Sequence, residues 1–90
     1  MRTPSITFTE HALWEMGRRG LTIVVVRKVV RQADQAISVR AGREIRQSRV
    51  YSKDDGKDFL VRVIVDIKRN TLTVVTAYRT SKVEKYWRQS

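Results

Sequence analysis

Apolar positions along the chain follow two different periods, and the change between them falls near residue 35. Before that point they recur at three- and four-residue intervals, as on a helix with one buried stripe. Ala12, Leu13 and Met16 make a first stripe; Val25, Val26, Val29, Val30 and Ala33 make a second, with Arg27, Lys28 and Arg31 facing the other way. Thr9 can cap the first stripe, Glu10 suits the positive end of the helix dipole, and Arg18 and Arg19 suit the negative end. Gly20 follows as a stop. The pattern predicts a helix over residues 9–19 and a second one from Thr22 to the break at Asp34 and Gln35. The β-branched run from Ile23 to Val26 would also suit a strand, but the periodic stretch continues for about 12 residues, longer than an ordinary strand.

Beyond residue 35 the period drops to two. Residues 36–39 read as a short strand, Ala41 and Gly42 as a turn, and residues 43–51 as a second strand with Ile45 inward and arginines outward. A polar loop covers residues 52–57. Phe59, Val61, Val63, Val65 and Ile67 then alternate with Leu60, Arg62, Ile64 and Asp66, and after a turn at residues 68–70 a last strand covers residues 72–78. This final hairpin is the strongest β signal in the chain. Residues 1–8, with the single Pro4, read as a lead-in holding a short extended piece at residues 6–8. The basic tail, residues 79–90, suits a short helix or an edge strand. The expected fold is α+β: two N-terminal helices packed on one face of a four-stranded antiparallel twisted sheet, as a single domain over residues 1–90. The opposite face would stay open and carry many of the basic side chains.

Composition narrows the function. Across 90 residues, 19 Lys and Arg stand against 9 Asp and Glu, a net charge of +10. Such a charge favours polyanionic partners, nucleic acid first among them, and an acidic protein or an anionic membrane would feel the same field. The absence of cysteine excludes disulfides, thiol chemistry and cysteine-ligated zinc. One histidine is too few for a His-based metal centre, so neither metal nor cofactor is expected. No apolar run is long enough for a membrane span or a signal-peptide core, and a cytoplasmic protein is expected.

Candidate chemistry is sparse. His11 is the one conventional acid–base group near neutral pH. Arg18 and Arg19 could hold a phosphate through paired guanidinium donors. Arg43, Arg46 and Arg49 recur at three-residue intervals, so Arg43 and Arg49 share a strand face and Arg46 lies on the other. They, with Arg62 and Lys82, are candidates for tracking a nucleic-acid backbone. Thr76 and Tyr78 lie two residues apart on one strand and face the same side. Together they could orient a phosphate and donate a proton. Tyr86 and Trp87 place aromatic faces among tail cations, suited to base stacking.

Two stretches resemble a known family. Phe8-Thr9-Glu10-His11-Ala12 with Met16, Arg19-Gly20-Leu21-Thr22 is similar to its opening motif, and Val74-Val75-Thr76-Ala77-Tyr78 is similar to its closing strand. The family is a domain of unknown function grouped with the barnase, EndoU, colicin and RelE-like (BECR) ribonuclease fold, whose members include toxins of toxin–antitoxin systems. Many members carry Arg just before the Met, where this chain has Glu15. The resemblance implies a RelE-like fold and a metal-independent RNA-cleaving, toxin-like activity with His11, Arg19, Thr76 and Tyr78 as its catalytic set. Two other expectations stand beside it: a non-catalytic nucleic-acid-binding module, and a basic protein bound to an acidic, antitoxin-like partner.

Overall fold

A computed structural model describes residues 3–89. Its elements run β1 (Ser5–Phe8), α1 (Glu10–Arg18), α2 (Ile23–Gln32), β2 (Gln35–Arg40), β3 (Arg43–Ser52), β4 (Lys57–Lys68), β5 (Thr71–Thr80) and α3 (Val83–Tyr86). The strands form one sheet in the order β1-β5-β4-β3-β2, antiparallel except for the parallel pair β1 and β5. The fold is therefore α+β, with a five-stranded mixed sheet in place of the expected four antiparallel strands and with a third helix. The lead-in supplies the extra strand. Ile6 lies beside Leu72 and Phe8 beside Val74, so its two apolar residues join the core side. Four residues are too few to display a period, and a parallel partner that comes 66 residues later leaves no local turn signal.

Both long helices form where the stripes predict. The Thr22 hydroxyl accepts the Val25 N–H at 3.2 Å and starts α2. α1 ends in a Schellman pair of bonds: Leu21 N–H reaches the Met16 carbonyl at 2.8 Å and Gly20 N–H the Gly17 carbonyl at 3.3 Å. That turn needs the left-handed backbone of Gly20, whose φ is +69°. Ala12 and Met16 of α1 and Val26, Val29 and Val30 of α2 pack on Val61, Val63 and Val65 of β4 and on Leu72, Val74 and Ala77 of β5. This apolar layer on one face of the sheet is the main core.

The alternation along β5 breaks once. Val74 pairs with Val65 and Thr76 with Ile64, so Val75 is an extra residue with no partner of its own. Leu72 and Val74 face the helices; beyond the bulge the phase reverses, and Ala77 faces them instead. Thr9 sits beside this bulge. Its hydroxyl accepts Ala12 N–H at 3.0 Å to cap α1 and lies 3.4 Å from the Val75 carbonyl, to which it donates. One side chain thus holds the helix start and the bulge together.

The face opposite the helices is not left open. The tail crosses it: α3 packs on β4, and Leu60 and Val83 are buried there. The outer strands are also shorter than the inner ones. β1 stops beside Val74 and β2 begins opposite Gln47, so the far halves of β5 and β3 pair with β4 on one side and, among the described residues, with no strand on the other. Thr9→Ala removes the helix cap and the bond to the bulge. It should lower unfolding stability by about 1–2 kcal/mol, read from urea denaturation midpoints.

Candidate nucleic-acid interface

Because of the bulge, Tyr78 emerges on the face away from the helices, directly across from Arg62 of β4. Arg62 in turn faces Gln47 of β3, and Gln47 faces Gln35 of β2. Four polar side chains therefore form one row across four strands. Arg62 can only donate hydrogen bonds, and this fixes the direction of every bond in the row. Its Nε donates to Gln47 Oε1 at 2.8 Å and its Nη1 to the Tyr78 hydroxyl oxygen at 2.6 Å. Gln47 must then turn its amide nitrogen outward, toward Gln35 Oε1 at 2.8 Å and the Tyr86 carbonyl at 3.1 Å. Gln35 completes the row by clamping the tail: it donates to the Arg88 carbonyl at 2.7 Å and accepts Arg88 N–H at 3.0 Å.

Arg62 is 9 % exposed, and among the described residues no carboxylate comes within ion-pair distance of it. Neutral acceptors and the face of Tyr86, 4.3 Å from the guanidinium carbon, hold it instead. The row ends in an open cleft of about 660 Å³ lined by Arg19, Tyr78, Arg79, Thr80 and Tyr86. Arg19 reaches it from the end of α1. It donates to the Ala77 carbonyl on the uncovered edge of β5 at 3.4 Å and pairs with the buried Glu15 at 2.7 Å. Arg79 stacks on Phe59 and lies 3.6 Å from Asp55. The guanidinium carbons of Arg19 and Arg62 lie 5.7 and 5.8 Å from the Tyr78 ring centre, and the Tyr78 oxygen accepts a bond from Arg62 while its own hydrogen remains free to donate.

Thr9, Arg19, Gln35, Gln47, Arg62, Tyr78 and Arg79 lie inside the stretch, residues 8–79, that matches a family model described as a domain of unknown function, DUF4258, whereas Thr80, Tyr86 and Arg88 lie beyond it. The chain belongs to the DUF4258 family. No curated protein and no solved structure matches it significantly.

The remaining candidate residues of this DUF4258 domain are scattered. Thr76 shares the face of Tyr78, opposite Ile64. His11 is exposed in the first turn of α1 and does not line the cleft; eight residues separate it from Arg19, about 12 Å along a helix axis. Arg18 bonds to Glu15 and lies over Trp14. Arg46 is on the helix side, bonded to Glu44 at 3.1 Å and to the Val30 carbonyl at 2.7 Å, where it caps the end of α2. Arg49 lies 4.5 Å from the Trp87 ring centre and 3.6 Å from Glu84. Lys82 is exposed just before α3. The structure thus brings Arg19, Arg62 and Tyr78 together and leaves His11, Arg43, Arg46 and Lys82 elsewhere. Sequence reasoning missed Gln35, Gln47 and Arg79. Strand register alone joins the glutamines to the row, and no local motif announces it. Among the described residues no group of three or more His, Cys, Asp or Glu could hold a metal ion, and no helix is long and apolar enough to cross a membrane.

Arg43 is engaged otherwise. Its fork donates to both oxygens of Asp66, at 2.6 and 2.9 Å. These bonds hold the Asp66 carboxyl below its ordinary range and raise Arg43 above its own. A depressed carboxyl contributes stability that is complete above the unfolded value, about 4, and is lost as pH falls through the folded value. Asp66→Asn should therefore melt below the parent near neutral pH, and the gap should close as pH is lowered toward about 2. The row makes a separate prediction. Gln47→Leu leaves a buried guanidinium donor without an acceptor and should cost about 1–3 kcal/mol in denaturant unfolding.

Proposed function

We propose that this domain binds RNA phosphodiesters in the Arg19–Tyr78–Arg79 cleft and cleaves them by proton transfer between protein side chains and substrate. The observation that carries the reading is the pairing of Arg62 with Tyr78. A buried cation without a carboxylate keeps its charge for an anion, and its bond to the phenol oxygen orients the Tyr78 hydrogen toward the cleft. In the reaction the RNA 2′-hydroxyl loses its proton to solvent and attacks the phosphorus. Arg19, with the field of Arg62 behind Tyr78, stabilises the charge that builds on the non-bridging oxygens. Tyr78 gives its proton to the departing 5′-oxygen, leaving a 2′,3′-cyclic phosphate and a 5′-hydroxyl. Thr76, on the same face, helps orient the phosphate. The link to the BECR ribonuclease toxins belongs to this proposal; what supports it is the α+β order and the pairing of helix-end arginine with strand tyrosine.

A second reading, binding without cleavage, is favoured by one observation: His11, the ordinary partner for a two-group acid–base mechanism, does not line the cleft. One experiment separates the two. Labelled RNA is incubated with the protein in EDTA, beside Tyr78→Phe, and binding is followed in parallel. The proposal expects cleavage that Tyr78→Phe slows about 10²- to 10⁴-fold while affinity stays within a few-fold. Salt-sensitive binding with no cleavage by the parent protein selects the second reading.

A further inference from the structure

The far half of β3 is a second uncovered edge, away from the cleft. β2 pairs with β3 only as far as Gln47, and the side chain of Asp34 accepts the next outward N–H, that of Arg49, at 3.0 Å. Alternate residues of an antiparallel strand point their backbone groups the same way. The Arg49 carbonyl and both backbone groups of Tyr51 are therefore directed outward, where no strand lies. Beside this edge runs a groove of about 420 Å³ between α2 and β3, walled by Val25, Val29 and Val50 and flanked by Lys28 and Arg49. The Tyr51 side chain is 62 % exposed on the other face of the strand.

We infer that this edge docks an extended, acidic segment of a partner protein, which adds a strand beside Arg49 and Tyr51 and seats an apolar side chain in the groove. The unpaired backbone groups call for an extended chain, since a helix has no main-chain groups left to offer them. Val50 points toward the helices, so the added strand sends every second side chain between it and α2. The charge selects the rest. Of the charged residues that line the groove, Lys28 and Arg49 outnumber Asp34, whose carboxylate is already held by the backbone; Glu84 meets Arg49 from the tail side, at 3.6 Å, and a protein of net charge +10 repels a second copy of itself.

The probe is a capped pentapeptide of alternating Glu and Val, titrated into the ¹⁵N-labelled full chain and compared with its Lys/Val counterpart. The expected result is chemical-shift change confined to the Arg49–Tyr51 edge and α2, with hydrogen exchange of the Tyr51 amide slowed about tenfold or more. Lys28→Glu, which touches nothing in the cleft, should weaken the acidic peptide several-fold. Equal binding of the Lys peptide, or no protection of Tyr51 at about millimolar peptide, overturns the inference. So does protection of Tyr51 by RNA, or by self-association without any peptide. Because the cleft is not part of this edge, none of these outcomes depends on whether RNA is cleaved.

Discussion

Without the extra residue at Val75, strict alternation along β5 would turn Leu72, Val74, Thr76 and Tyr78 to one side of the sheet, beneath α1. The bulge reverses the phase between Val74 and Thr76. A small residue, Ala77, then fits under the helix, and the tyrosine meets Arg62 on the far side. The Thr9 hydroxyl ties the same bulge to the start of α1, at the point where β1 stops covering β5. The reversal of phase, the entry of the helix and the open strand edge are therefore one local event. They place Arg19, which ends the same helix, against the same strand as Tyr78.

Arginines are plentiful in this chain, and their surroundings sort them. Arg43 is matched by Asp66, Arg46 by Glu44, and Arg18 and Arg19 share Glu15. Arg62 is treated differently. Removing a guanidinium from water carries a large desolvation cost, usually offset by a carboxylate. Here two neutral oxygens and an aromatic face do that work, so the positive field is left uncancelled next to the cleft. The tail is part of the same arrangement, since the amide groups that orient toward Arg62 also hold the backbone at Tyr86 and Arg88.

Much of the local structure was legible in the sequence. Helical spacing located α1 and α2, the Thr9 and Thr22 caps were readable, and so was the β4–β5 hairpin. The shared face of Thr76 and Tyr78 followed from strand parity, as did the separation of Arg46 from Arg43 and Arg49. What escaped was non-local. β1 has too few residues to show a period, and its partner lies at the other end of the chain. The bulge changes no residue type, so nothing in the sequence marks Val75 as unpaired. Gln35, Gln47 and Arg62 are ordinary strand residues until register aligns them. His11 stood out because it is the only histidine, a fact of composition that carries no information about position; the cleft instead draws on Arg79, one basic residue among many.

The parallel pairing of β1 with β5 joins the first strand of the sheet to the last. During synthesis β1 emerges first and has no partner until β5 follows, some 66 residues later. A loop of that length is slow to close, and contacts of this separation form late in folding. The wall of the cleft is built at that junction: Thr9 against Val75, Arg19 against Ala77, and Tyr78 against Arg62. A nascent chain that has released both long helices and four strands therefore already carries most of the core residues, yet of the cleft lining it has only Arg19. Whatever chemistry the cleft performs is confined to finished molecules, a form of timing set by strand order alone.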